Sequence, residues 1–149
     1  LMVGHGNMRH ALIELAIKLL PGRFSFVEET EHLGNLLAAM DTLVMPSRLE
    51  GYGLVAMEAM MSGVPVIATP YGMIADLVTD GVHALVVKPA SIAIADAIQK
   101  LRQSAPLRHS LQVHGLQLAQ ASGYASTMAR RYEDLLISLW QDAMIKRKA

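Results

Sequence analysis

DTLVMPSRLEGYGLVAMEAMMSGVPVIA, residues 41–68, holds the alternation that decides the fold. Thr42–Met45 and Val66–Ala68 are short apolar runs without polar alternation, the pattern of strands covered on both faces in a parallel sheet. Between them Gly51 and Gly53 form a bend, and Leu54–Met61 has the composition of a helix. A helix joining two parallel strands makes a right-handed crossover. The interior of that helix is Leu, Val, Ala and Met except for one carboxylate, Glu58.

The same alternation continues in both directions. Further strands are expected near Leu1–Val3, Phe24–Val27 and Ala84–Val87, with helical spacing in Ala11–Leu20 and His32–Met40. Strands alternating with helices give an α/β class and a doubly wound, Rossmann-like parallel sheet. From Ile92 onward no strand pattern remains, and three helical segments follow, Ile92–Arg102, Leu107–Ala121 and Ser126–Met144. No repeat, linker or low-complexity stretch divides residues 1–149, and this length favours one domain with a real core. The chain starts at Leu1 inside a strand pattern, as a fragment does.

Composition excludes several functions. The apolar fraction is 52% and the charged fraction 17%, below the roughly 25% charged of an average domain, so the chain has a large core or apolar surface meant for a partner. Thirteen basic and thirteen acidic residues cancel, leaving no global field for nucleic acid or anionic membrane. Without cysteine, disulfides, thiolate catalysis and cysteine-ligated zinc are excluded. The longest charge-free stretch, Ala59–Ala75, is broken by Gly63, Pro65, Pro70 and Gly72, against a membrane span. No signal peptide is visible, and a cytoplasmic location is expected.

Ligands of such sheets bind beyond the carboxyl ends of the strands. The loops there are Gly4–Asn7, Glu28–Glu31, Pro46–Gly53, Thr69–Gly72 and Lys88–Ser91. Glycines in Pro46–Gly53 admit a sharp bend and a close ligand. Free N–H groups of Leu54 and Val55 at the helix start favour an anion such as a phosphate. A helix apolar on every side is expected to be buried, and a buried carboxylate needs donors. Arg48 lies before the bend, outside helical pairing distance. The vicinal hydroxyls of a ribose beside a diphosphate supply donors for Glu58, and Glu50, eight residues earlier, reaches the other side of the phosphate. The structural alternative is a Glu58 capped by Ser47 or by backbone N–H groups.

The run Pro46-Ser47-Arg48-Leu49-Glu50-Gly51-Tyr52-Gly53-Leu54-Val55-Ala56-Met57-Glu58-Ala59-Met60, followed by Gly63-Val64-Pro65-Val66-Ile67-Ala68, closely resembles the signature of the family 4 retaining nucleotide-sugar glycosyltransferases, which have the two-domain GT-B architecture. Val3-Gly4-His5-Gly6, Leu36–Asp41, Asp80-Gly81-Val82 and Tyr124 to Tyr132 fit the same likeness. The resemblance implies a C-terminal, donor-binding domain with additional C-terminal helices, whose substrate is a nucleoside-diphosphate sugar. It implies that Glu58 binds the ribose hydroxyls and that Glu50 is catalytic, contacting the transferred sugar or lying close to the reacting centre. Main-chain N–H groups around Gly53, Leu54 and Val55 then hold the diphosphate, with Gly51 in the bend beside it and Val27 and Glu28 near the base. The implied transfer retains anomeric configuration and uses no metal and no cofactor; the absence of an Asp-x-Asp motif agrees.

The chain also departs from the family pattern. Tyr71-Gly72-Met73-Ile74-Ala75-Asp76 keeps one glycine where two are usual and shortens the acid, Ala84 replaces a glycine, and His5 replaces a common aspartate. A preceding strand-loop with an arginine and a lysine is missing, as is the N-terminal acceptor domain. Two functional readings follow: the donor half of a glycosyltransferase, inactive as this chain alone, or a non-catalytic nucleotide-binding or interaction module. A nucleotide-sugar epimerase of the same architecture is a third, and resembles the Glu50–Glu58 block less. The turn Gly4-His5-Gly6-Asn7-Met8-Arg9 lacks the third glycine of a dinucleotide fingerprint, and the six histidines have no metalloprotease spacing. Met57, Met60 and Met61 read as core filling.

In the closing helix Met128, Tyr132, Leu135, Leu136, Leu139, Trp140 and Ala143 recur at intervals of three and four residues, a broad apolar face. In GT-B enzymes this helix crosses onto the partner domain, so part of the face is expected to be bare here and to make the isolated chain a homo-oligomer. The tail Lys146-Arg147-Lys148 reads as a solvated helix end, with contact to an anionic membrane as the alternative.

Overall fold

The computed structural model describes residues 1–28, 33–122 and 125–146. Residues 29–31 of one expected ligand loop, His32, Tyr124 and the Arg147-Lys148 part of the tail lie outside the described residues. The chain forms two compact units, Leu1–Leu33 and Gly34–Ala149.

The first unit is a β-α-β crossover. Strand β1 (Met2–Val3) and strand β2 (Phe26–Val27) are joined by helix α1 (Arg9–Leu19). They pair in parallel, Met2 opposite Phe26 and Val3 opposite Val27. The ladder extends at both ends, with Met2 N–H donating to Ser25 O and Gly4 N–H to Val27 O, both at 2.9 Å. Parallel pairing requires a crossover of this length, and Pro21 with Gly22 (φ +68°) ends the helix and turns the chain back.

The second unit contains helix α2 (Leu33–Ala38) apart from its first residue, strand β3 (Leu43–Met45), helix α3 (Leu54–Met61), strand β4 (Val66–Ala68), helix α4 (Met73–Leu77), strand β5 (Leu85–Val86) and helices α5 (Ser91–Gln103), α6 (Ala105–Ser122) and α7 (Ala125–Lys146). Its three strands are parallel in the order β3-β4-β5. Leu43, Val44 and Met45 lie opposite Val66, Ile67 and Ala68, and Ile67 and Ala68 opposite Leu85 and Val86. All three residues of the central strand β4 are buried, as a strand covered on both faces must be. The class is therefore α/β with parallel sheets. The strands form a two-stranded and a three-stranded sheet, and α4 is a helix the sequence pattern did not indicate.

Helices α5 and α6 close the core of this unit. Ile67 and Leu85 pack with Ala97, Leu101 and Leu111, and Val44, Val87 and Leu107 lie against them. Helix α6 approaches α3 through Gly115. A Cβ there would stand 3.1 Å from His83 O and 3.3 Å from Met60 Cγ, so a small residue sets how closely the two helices meet. Helix α7 leaves Met128, Tyr132, Leu135, Leu136, Leu139 and Trp140 exposed, as its apolar face led one to expect.

Helix α3 corrects one expectation. Ala56, Met57, Ala59 and Met60 are buried, whereas Leu54, Val55, Glu58 and Met61 are exposed. The exposed set recurs at helical spacing of three and four residues, one continuous stripe. Glu58 is thus on an outer stripe shared with apolar side chains, and its charge is not buried. An apolar composition does not require burial on all sides, because much of any protein surface is apolar.

Candidate functional site

Parallel pairing of β3 with β4 brings the loops that follow them, 46–53 and 69–72, to one edge of the three-stranded sheet. Thr69 joins them. It is fully buried, its Oγ1 donates to Ser47 O at 2.6 Å, and its N–H donates to Met45 O at 3.3 Å. Ser47 Oγ in turn donates to Glu50 Oε2 at 3.2 Å. Ser47 therefore pairs with Glu50 and does not cap Glu58.

The stem of Glu50 is held between two glycines. A Cβ on Gly53 would lie 3.3 Å from Glu50 Cγ, and one on Gly72 3.2 Å from the same atom. Gly53 (φ +89°) and Gly72 (φ +57°) both have backbones that favour glycine. Gly51 has no positive φ and open space around it, so of the two bend glycines only Gly53 is required by the backbone. Met73 N–H donates to Tyr52 O at 2.8 Å, closing the contact between the loops.

Gly53 is the N-cap of α3 and offers no side-chain cap, and the first turn contains no acidic residue. Among the described residues the N–H groups of Gly53, Leu54 and Val55 donate to no carbonyl or side chain. Unpartnered N–H groups at the positive end of the helix dipole favour an anion. Glu58 lies one turn further on, on the same exposed stripe as Leu54 and Val55, and makes no ion pair among the described residues. Glu58 is thus not a buried carboxylate in need of donors, and it lies on the stripe that starts at the free N–H groups.

Val27 and Glu28 belong to the first unit. Val27 ends β2, and Glu28 pairs with Arg9 at 3.1 Å, whose guanidinium carbon lies 5.1 Å from the centroid of the Phe26 ring. Both charged side chains are substantially exposed, so the pair adds little stability. The structure thus brings Glu50, Gly51, Gly53, Leu54, Val55 and Glu58 to one loop and helix end. The sequence placed Ser47, Thr69 and Gly72 in the loops beyond the strand ends but gave no sign that they converge on Glu50. Among the described residues no cluster of three metal-ligating side chains exists and no helix is long and apolar enough to cross a membrane.

A glycine bend, a bare helix N-terminus and two carboxylates thus stand at the carboxyl edge of a parallel sheet, the edge at which open α/β sheets bind their ligands. Residues 1–116 match the family model described as glycosyl transferases group 1, and the chain belongs to that family. It is 36% identical over 146 residues to a D-inositol 3-phosphate glycosyltransferase of Nocardia farcinica, covering 93% of this chain and 32% of the relative. The chain spans about a third of the length of that relative. Among solved structures, HepE of Anabaena in complex with UDP-glucose superposes with a TM-score of 0.82 at 25% identity, over 91% of this chain and 40% of HepE. The C-terminal domain of a group 1 glycosyl transferase (LpcC) of Francisella tularensis gives 0.69 at 26% identity, over 80% of this chain and 64% of that one. The structural neighbours are GT-B glycosyltransferases.

Proposed function

We propose that this chain is the C-terminal, donor-binding domain of a family 4 retaining glycosyltransferase that takes its sugar from a nucleoside diphosphate. The observation that carries the reading is the N-terminus of α3, where Gly53, Leu54 and Val55 present free N–H groups one turn before Glu58. The diphosphate sits on those N–H groups, Glu58 takes the ribose hydroxyls, and Glu50 stands at the transferred sugar. Stabilisation of the leaving diphosphate by fixed N–H dipoles is electrostatic catalysis without a metal. Support also comes from the likeness to a UDP-glucose complex and to an isolated C-terminal domain.

Val27 and Glu28 are assigned to the base. The acceptor-binding domain belongs to the two thirds of the relatives' length that this chain does not span. The 149-residue chain alone therefore binds nucleotide and transfers no sugar, because half the cleft that orients the acceptor is absent. A cytoplasmic location is part of this reading. The bare apolar face of α7 favours self-association of the isolated chain, which sedimentation at rising concentration measures; a strict monomer speaks against it.

A thermal-shift screen with UDP-, GDP- and ADP-sugars tests donor binding, since a ligand of the folded state raises apparent stability. A transfer assay on the full-length protein tests catalysis. Binding without transfer or hydrolysis supports the non-catalytic module, and no binding by any of the three classes overturns the donor-site reading.

A further inference from the structure

Glu50 is a loop residue, half-buried and free of any cationic partner among the described residues. A carboxylate on a loop has several rotamers open to it, yet a group acting at a reacting centre must be held within roughly half an ångström of its working position. The stem of Glu50 is confined between Gly53 and Gly72, and its carboxylate accepts from Ser47 Oγ at 3.2 Å. What holds Ser47 is therefore what aims Glu50. Ser47 lies just past β3, and its carbonyl is taken by the hydroxyl of Thr69 from the neighbouring loop at 2.6 Å.

Thr69 is the one fully buried polar side chain among the described residues. Its hydroxyl lies 3.5 Å from Met45 O, so the short bond to Ser47 is its principal one. A buried hydroxyl needs one good bond to offset its desolvation. Core satisfaction alone does not explain why that bond goes to the residue whose own hydroxyl fixes Glu50. The main chain of Thr69 already pairs with Met45, so the side-chain bond adds a second tie between the loops at the point where Glu50 is set.

We propose that Thr69 is a positioning residue for Glu50, acting through Ser47: its hydroxyl fixes the Ser47 carbonyl, and the Ser47 hydroxyl fixes the Glu50 carboxylate. This rests on the reading of Glu50 as a group at the transferred sugar. The hydrogen bonds of the relay run from Thr69 through Ser47 to Glu50 and include neither an N–H of Gly53, Leu54 or Val55 nor Glu58, so it is expected to govern turnover rather than nucleotide affinity.

The test uses the full-length protein with UDP-glucose as donor and UDP as ligand, in Thr69→Val, Thr69→Ser, Ser47→Ala and the double variant Thr69→Val/Ser47→Ala. Valine keeps the shape and removes the hydroxyl; serine keeps the hydroxyl. Thr69→Val is expected to lower kcat by about 10- to 100-fold, the scale of a misplaced catalytic group, with donor KM and the Kd for UDP changed by no more than about twofold. Thr69→Ser recovers most of the turnover. In the Ser47→Ala background the Thr69→Val change adds less than about twofold, because the last link is already gone. Undiminished kcat in Thr69→Val, full additivity of the two changes, or a parallel loss of UDP affinity each overturn the proposal. Should Thr69→Val not fold, Ser47→Ala alone must show the kcat loss, and normal turnover in it overturns the relay. A wild-type protein that binds none of the UDP-, GDP- and ADP-sugars sinks the donor-site reading instead. Hydrogen exchange over residues 46–53 then decides the mechanical half, and exchange in Thr69→Val no faster than in the wild type overturns that.

Discussion

Gly72 and Tyr52 meet backbone to backbone: a Cβ on Gly72 would lie 2.6 Å from the Tyr52 carbonyl oxygen, nearer than a real Cβ comes to a carbonyl. The same carbonyl accepts from Met73 N–H at 2.8 Å. The loop after β4 therefore closes on the loop after β3 only because position 72 has no side chain.

Gly72→Ala meets both a φ of +57° and that carbonyl. The backbone conformation by itself costs about 1–3 kcal/mol, and displacement of Tyr52 adds to it. Urea unfolding is expected to show a loss at or above that range, with weakened transfer in the full-length protein. Gly51→Ala, at a position with open space and no positive φ, is expected to stay within about 0.5 kcal/mol of the parent. Equal stability of the two variants counts against the contact.

Glu58 is exposed and makes no ion pair among the described residues, so Glu58→Ala changes stability by less than about 0.5 kcal/mol. Its effect belongs to binding. Loss of a charged hydrogen bond to ribose, about 1.5–3 kcal/mol, raises the Kd for UDP by about 10- to 150-fold. Calorimetry with UDP and its 2′,3′-dideoxy analogue checks the assignment, and equal affinity for the two refutes it.

Glu50→Gln keeps the stem that lies between Gly53 and Gly72 and removes the charge. Transfer by the full-length protein is expected to fall by about 100-fold or more, as when one preorganised electrostatic group is lost. Affinity for free UDP stays as it was. A Glu50→Gln enzyme with normal turnover removes Glu50 from the reacting centre.

His83 gives the fold a pH dependence. Burial holds its imidazole below the ordinary value of 6.5, and the neighbouring His114 lowers it further. Thr79 N–H donates to Nδ1 at 3.0 Å, a bond that a protonated ring cannot accept. The folded state thus binds the proton less readily than the unfolded chain, so the contribution is complete above pH 6.5 and is lost as pH falls from there through the lowered folded-state value. Urea midpoints of the parent are expected to drop on acidification through this window, and those of His83→Gln to drop less. Identical pH profiles contradict the assignment.

Much of the fold was legible because its signals are local. The bounds of α3 and β4 follow the sequence to the residue: Gly53 starts the helix in a left-handed conformation, Ser62 and Gly63 (φ +71°) stop it, and Pro65 leads into the strand. Parallel strands follow from apolar runs separated by helices. The register of Glu50 and Glu58 about the bend was readable for the same reason, since both lie within one strand-loop-helix unit.

Which side of α3 is bare was not legible. A helix apolar on nearly every side gives no stripe to read, so the choice was made by packing, with Gly115 of α6 drawn against Met60, and Glu58 fell on the open side. The link from Thr69 through Ser47 to Glu50 was equally hidden, because it joins residues 22 apart that meet only when Met45 pairs with Ala68. Sequence by itself determined the elements and the candidate carboxylates, where each residue and its near neighbours hold the information. Tertiary structure alone decided what those carboxylates touch, because hydrogen bonds and close backbone contacts between loops depend on strand register and helix packing that no local pattern encodes.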